Sequence, residues 1–231
     1  RLTNSGLLQG ISGVTQGVGL DIRPYGLVSS EASPGTGQPA AVNEGQVGVD
    51  MFYSLTPGLR SNLTINTDFA QTEVDQRLVN LTRFSLFFPE KRTFFLEGAN
   101  MFDFATQSNA GGGFGGFVGG PGQDNSLLPF FSRTVGLDAN GSPQRIDYGL
   151  KLFGQVGRQD IGVLHVRSAE EAGAAGVPAE NVTVLRVKRR VLRQSYVGGM
   201  FTRRDSAGSA SSALGTMGLD FVLATSEFRG S

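Results

Sequence analysis

The feature that most constrains this chain is a period-two alternation that recurs along its length. Leu59, Ser61, Leu63, Ile65, Thr67 and Phe69 share one parity, and Arg60, Asn62, Thr64, Asn66 and Asp68 share the other. Successive side chains of an extended chain point to opposite faces, so one face here is mostly apolar and the other wholly polar. The same split sets Val47, Val49, Met51 and Tyr53 against Gly48, Asp50 and Phe52, and Ile146, Tyr148, Leu150 and Leu152 against Arg145, Asp147, Gly149 and Lys151. It returns in Met217, Leu219, Phe221 and Leu223 against Thr216, Gly218, Asp220 and Val222, with weaker versions around 20–28, 160–168, 182–189 and 195–203. Eight strands are expected, in an all-β chain.

The connections between them carry as much information. They run 29–45, 55–58, 70–144, 155–159, 169–181, 190–194 and 204–213, alternately long and short. A soluble sandwich has no reason to keep that parity. A transmembrane barrel does, because tight turns lie on one side of the membrane and longer loops on the other, and its strands have the length seen here. The expected fold is an antiparallel up-and-down meander, part of an outer-membrane β-barrel. Residues 1–19 form an N-terminal connection, 20–231 a partial barrel domain, and 70–144 an inserted segment that plugs or caps it. Because the eight strands belong to a larger ring in this reading, the sheet is expected to be open and curved, with two unpaired edges.

Composition narrows the function classes. Twenty Lys and Arg balance twenty Asp and Glu, so there is no basic field of the kind a nucleic-acid binder needs. The absence of Cys removes disulfide scaffolds, thiolate metal sites and cysteine nucleophiles, and the single histidine, His165, leaves little for a multi-histidine metal site or a serine triad. His165 reads as an ordinary strand-face residue. No cofactor or metal is expected. No apolar run reaches the roughly 18 residues of a helical span. With no signal stretch after Arg1, and a strand pattern close to Ser231, the chain reads as an internal or processed piece of a longer protein. There is no Trp and only four Tyr, so an aromatic girdle would fall to Tyr53, Tyr148, Tyr196 and some Phe.

Two segments are of low complexity. Residues 111–122, GGGFGGFVGGPG, lack the Lys-Ser/Thr pair of a phosphate-binding loop, and 169–181 is small and polar, as exposed loop tips are. The densest chemistry lies in 66–98, NTDFAQTEVDQRLVNLTRFSLFFPEKRTFFLEG. Asp68, Glu73, Asp75, Glu90 and Glu97 are interspersed with Arg77, Arg83, Lys91 and Arg92, and Phe84, Phe87, Phe88, Phe94 and Phe95 cluster around Pro89. This pattern fits a compact insertion folded against the inside of a barrel, its charges neutralising one another away from bulk water.

On these residues the chain resembles a bacterial outer-membrane family catalogued as domain of unknown function 5916. The resemblance rests on Asn66-Thr67-Asp68-Phe69-Ala70-Gln71, Glu73-Val74-Asp75, Asn80-Leu81-Thr82-Arg83-Phe84, Phe88-Pro89-Glu90-Lys91-Arg92 and Phe94-Phe95-Leu96-Glu97-Gly98. Phe131-Ser132-Arg133, Pro24-Tyr25 and Gly149-Leu150-Lys151 add to it, so that it covers most of 20–225. It implies a β-barrel in the bacterial outer membrane, in members that usually carry a carbohydrate-binding module, similar to family 9, ahead of the barrel. Outer-membrane lipid is then a partner, a carbohydrate is a possible ligand, and other envelope proteins are possible partners.

Three readings of the central motif follow. Its Glu73, Asp75, Asp68, Glu90 and Glu97 could supply the two carboxyls, about 5–10 Å apart, of a glycoside hydrolase. They could instead form a self-satisfied network with the neighbouring cations, and this reading is favoured. Asp68, Glu73 and Asp75 also offer oxygen ligands for calcium, but not at EF-hand spacing. Arg133 is a pore-lining or substrate-contacting cation, or pairs with an acid of the motif. The basic run Arg186, Lys188, Arg189, Arg190 and Arg193 reads as lumen lining or lipopolysaccharide contact. The favoured role is binding or passage of a substrate, plausibly a glycan. A carbohydrate-active hydrolase and a structural part of an envelope complex are the alternatives.

Overall fold

The computed structural model describes residues 19–31, 42–67, 90, 92–104, 129–137, 144–170, 177–191, 195–206 and 213–222. Eight strands form one antiparallel sheet in sequence order: β1 (Leu20–Glu31), β2 (Val42–Thr56), β3 (Leu59–Thr67), β4 (Ile146–Val156), β5 (Gln159–Ser168), β6 (Glu180–Arg190), β7 (Tyr196–Ser206) and β8 (Leu214–Val222). Every expected strand is present. β1 and β8 do not pair with each other, so the sheet is an open meander with two edges. Turns 57–58 and 157–158 and the connection 191–195 lie at one end of the strands. The strand ends that flank the longer connections 32–41, 68–145, 169–179 and 207–213 lie at the other.

The two faces differ in kind. The outer face carries Ile22, Val47, Tyr53, Ile65, Leu150, Leu185, Val187, Val197, Met217, Leu219 and Phe221, all exposed, with Leu219 at 84% and Met217 at 81%. Against the inner face lie the described parts of the 68–145 insertion, a helical turn α1 (Thr93–Leu96), a 3-10 turn Ala99–Phe102 and a second 3-10 turn Ser132–Thr134. Under this cover the buried residues include Asn62, Thr64, Thr67, Lys151, Arg186 and Asp220. The alternation thus places polar groups inside and apolar groups outside, the reverse of a soluble sandwich.

One part of the inner face is apolar. Leu164 and Val166 of β5, Val182 and Val184 of β6 and Met200 of β7 form a cluster with Phe94, Phe95 and Phe104 of the insertion. Here β5 and β6 are apolar on both sides, which is why their alternation is weak in the sequence. Three glycines make room for the insertion's rings. Gly149 lies beneath Phe94, Gly162 beneath Phe102 and Gly218 beneath Phe104. A methyl group built on Gly149 would sit 2.9 Å from Thr64 Cγ2 and 3.0 Å from Phe94 Cζ.

Two expectations about parity are corrected. Thr67 was placed with Leu63 and Ile65, but Asn66 adopts a left-handed φ of 55° and turns Thr67 to the inner face beside Thr64. Asn66 holds that turn by donating its side-chain amide to the Val47 carbonyl. Ile146 was placed with Tyr148, but the β4–β5 register shifts between them, so Ile146 is buried within while Asp147 and Tyr148 follow each other outward. Phe69, the last residue of the first alternating set, lies outside the described residues.

Gly149→Val is expected to cost roughly 1–3 kcal/mol through overpacking against Phe94. Gly215→Val, where a Cβ meets only the Thr202 carbonyl at 3.9 Å, is expected to be near neutral. Urea unfolding of the two variants checks the contrast.

Candidate functional site

Among the described residues of the 66–98 motif, each charged group is engaged. Arg92 precedes α1 and lies flat against Glu90: Nε donates to Oε1 at 2.8 Å and Nη2 to Oε2 at 2.8 Å, with the Glu90 side chain fully buried. Ser132 Oγ donates to the same Oε2 at 2.6 Å, and Arg92 also donates to the Ser132 and Val135 carbonyls at 2.7 and 2.8 Å. The guanidinium is 4.2 Å from the Phe95 ring centre. These contacts staple the two described parts of the insertion together. Burial would raise the Glu90 carboxyl, but Arg92 and the Ser132 hydroxyl outweigh it and hold it below its ordinary value.

The seam between insertion and sheet is polar. Lys151, 1% exposed, points up from β4 and donates Nζ to the carbonyls of Phe94 and Glu97, closing the C-terminal end of α1. Gly98 follows with φ 69°, a left-handed turn held against the Phe153 ring, where a side chain would be both strained and obstructed. Glu97 accepts from Asn62 Nδ2 at 2.8 Å and Arg60 Nη1 at 3.0 Å on β3. On the far side, Arg186 of β6 donates to both oxygens of Asp220 on β8, at 2.5 and 2.6 Å, and through Nε to the Asp103 carbonyl at 3.0 Å. Lys188 donates to the Asn100 carbonyl at 3.1 Å. Three strand cations therefore hold the insertion by its backbone.

A third network joins the β1–β3 end. Tyr25 Oη donates to Thr67 Oγ1 at 2.8 Å, Thr67 and Thr64 share a hydroxyl–hydroxyl bond, and Thr64 Oγ1 donates to Asp50 Oδ1 at 2.5 Å. Between β1–β3 and α1 lies an open cleft of about 490 Å³, lined by Asp21, Arg23, Phe52, Arg60, Asn62 and Glu97 together with Thr93 and Leu96. It lies toward the short-turn end of the strands. Its charges form two pairs, Arg23 with Asp21 and Arg60 with Glu97. Asn62 Oδ1 is buried and has no partner.

Of the residues singled out from sequence, Glu90, Arg92 and Glu97 are brought to the inner face or its cover, Asn66 stands at the left-handed turn near the end of β3, and Arg133 sits half-buried in the 3-10 turn beside Ser132. Asp68, Phe69, Gln71, Glu73, Asp75, Asn80, Arg83 and Lys91 lie outside the described residues, as do the calcium reading of Asp68, Glu73 and Asp75, the glycine-rich stretch and Arg193. Among the described residues no group of three or more metal-ligating side chains occurs, and no helix is long and apolar enough to cross a membrane, which says nothing of strands. The basic run is divided by parity: Arg186, Lys188 and Arg190 lie on the inner-facing positions of β6, and Arg189 on the outer. Tyr196, expected in a girdle, instead faces inward and donates to Asp220 Oδ2 at 3.3 Å. His165 lies on the outer face, its Nδ1 2.9 Å from Thr183 Oγ1. Sequence reasoning did not single out Lys151, Asn62, Asp103 and Asp220 as site residues. The signal for the first two was present as charged and amide groups on the polar parity of central strands.

Fold and site together define an all-β protein, a single antiparallel meander whose polar face is covered by its own insertion. Residues 17–106 match the model of the family described as domain of unknown function (DUF5916), the family that the 66–98 motif resembles. The match takes in β1–β3, α1 and the turn that follows, and it stops short of β4–β8. No curated protein and no solved structure matches the chain.

Two acids of the insertion predict opposite pH behaviour. Burial pushes the Asp103 carboxyl up to about 6, against the pull of Lys188 and Arg186. Its proton is held more tightly in the seated state, so its contribution to seating is complete below its ordinary value and lost as pH rises through about 6. Asp103→Asn should flatten that step and protect the 93–104 amides more strongly at pH 8, as read by hydrogen exchange. Glu90 has the reverse sign: its contribution is present above the ordinary carboxylate value and lost as pH falls through its lowered one. Glu90→Gln leaves Arg92 buried without its counter-charge and is expected to cost roughly 3–5 kcal/mol at pH 7, measured by denaturant unfolding.

Proposed function

We propose that this chain forms part of a β-barrel in the bacterial outer membrane, and that the barrel binds or passes a substrate, a glycan in the finer reading. The observation that carries the membrane assignment is the inversion of the sheet. Its outer face exposes apolar side chains such as Ile22, Val47, Leu150, Val187, Met217 and Leu219, whereas its inner face buries Asn62, Thr64, Lys151, Arg186 and Asp220. In water such a face would be a large interaction or aggregation liability; in hydrocarbon it is the solvated surface. The end-to-end parity of short and long connections supports the same reading. The unpaired edges of β1 and β8 fit strands of a larger ring.

The cleft beside α1 supports a glycan. Its neutral set of paired guanidinium, carboxylate and amide groups can donate to and accept from adjacent hydroxyls, and it carries no net charge that would favour an anion or a cation. Hydrolysis draws less support. Glu90 is locked to Arg92 and Ser132, and Glu97 to Arg60 and Asn62, so neither is positioned as an unencumbered acid or base.

In this role the insertion restricts the barrel interior, and the seam of Lys151 and Arg186 sets how tightly. The full-length protein in a planar bilayer is expected to give small stepwise conductances. Lys151→Met combined with Asp220→Asn should enlarge them by loosening the seam, and a neutral oligosaccharide should reduce the current in a manner weakened by Arg60→Ala. Folded, inserted protein that stays silent in both forms would remove passage as a role.

A further inference from the structure

We propose that the cleft between β1–β3 and α1 takes sugars that carry an acetamido substituent, with Asn62 Oδ1 receiving the substituent's N–H. This rests on the glycan reading above and names the class of sugar.

The chemistry starts from one fixed acceptor. Asn62 lines the cleft from the inner face of β3, is 1% exposed, and its Oδ1 has no hydrogen-bond partner. The amide cannot turn to relieve this. Its Nδ2 donates to Glu97 Oε2 at 2.8 Å, and Arg60 holds the other Glu97 oxygen at 3.0 Å. Exchanging the two ends of the amide would set its oxygen against that carboxylate. Lys151, opposite Asn62 in the β3–β4 register, gives Nζ to the Phe94 and Glu97 carbonyls instead. A buried acceptor left unpaired is costly, so a ligand that supplies a donor gains what the free protein forgoes.

The surroundings decide which donor fits. A sugar hydroxyl brings one proton and two lone pairs, and the adjacent donor, Asn62 Nδ2, is already turned to Glu97. A hydroxyl seated there would trade one unpaired acceptor for another. An amide N–H carries no lone pair to satisfy and is matched by Oδ1 alone. The methyl of the same substituent needs an apolar wall beside the acceptor. Phe52 lies opposite Asn62 in the β2–β3 register, its ring centre 4.7 Å from the Arg23 guanidinium, and Leu96 lines the cleft from α1. The substituent's carbonyl needs a donor. Arg60, with a side chain 59% exposed, gives Nη1 to Glu97 and keeps its other N–H groups. Acceptor, apolar wall and donor thus match an acetamide's N–H, methyl and carbonyl in kind. Because Oδ1 is buried, a substituent projecting from the ring suits it better than a ring hydroxyl. At about 490 Å³ the cleft is within the range of small-molecule sites.

The test uses the full-length protein and a pair of β-1,4-linked trisaccharides, chitotriose with acetamido groups and cellotriose with hydroxyls in their place, each titrated calorimetrically. Wild type is expected to bind chitotriose about tenfold more tightly than cellotriose. Asn62→Ala should abolish that preference. Leu96→Ala, which leaves every side-chain hydrogen bond in place, should weaken chitotriose several-fold and leave cellotriose unchanged. Strand content by circular dichroism separates loss of binding from loss of folding, and if Asn62→Ala does not fold, Leu96→Ala alone decides. Equal affinity of wild type for the two sugars, or a preference that survives in every variant that folds, would overturn the acetamide site and leave the glycan reading intact. Silence toward chitotriose alone does the same. Silence of folded wild type toward both sugars overturns the glycan reading of the cleft as well.

Discussion

A buried ammonium persists only where fixed acceptors take its protons, and Lys151 finds them at the end of a single helical turn. Its Nζ reaches the Phe94 and Glu97 carbonyls from the middle of the sheet, with the Phe94 and Phe153 rings 5.0 and 4.9 Å away. The same contact supplies α1 with partners that four residues of helix cannot supply for themselves. Once α1 is seated, Glu97 is in place for Asn62 and Arg60, Phe94 lies on Gly149, and Gly98 turns the chain toward the 3-10 segment held by Lys188 and Arg186. The cover of the inner face is thus organised by polar contacts to backbone, with the Phe cluster filling the centre.

This arrangement explains how a polar sheet face can be dry. Burying Arg186 and Asp220 costs solvation that a bidentate pair recovers only with good geometry and further hydrogen bonds. Arg186 supplies one by giving Nε to the Asp103 carbonyl. Asp103 shows the other side of the balance. Its carbonyl is used, but its carboxyl is drawn into the same crowded region, and burial outweighs two nearby cations.

The strands were readable because seven connections and one apolar face repeat a simple rule. They were least distinct at β5 and β6, where Val163, Leu164, Val182, Val184 and Leu185 are apolar on both sides. A strand packed by an insertion on one face and apolar on the other loses its alternation. The cover itself was readable only as a dense, self-neutralising motif. Glu90 and Arg92, two residues apart, could be paired from sequence. Lys151 could not be matched to Phe94, because its partners are carbonyl oxygens, which every residue has. Tyr196 was misplaced for a related reason: a tyrosine near a strand end suits a membrane boundary, and only the register puts Asp220 within its reach.

Asn66 and Asp147 occupy the same level of adjacent strands, between the pairs Ile65–Tyr148 and Thr67–Ile146. Each adds one residue to its strand's in-and-out rhythm, and because they face each other the β3–β4 ladder stays matched across both. The two behave as a single dislocation shared by β3 and β4, which the register shift between β4 and β5 brings to an end. On one side of it Thr64 and Gly149 face inward; on the other Thr67 and Ile146 do. The chain can therefore carry the insertion away from β3 and return it to β4 with inward side chains at both departure and arrival, without the phase of either strand being lost.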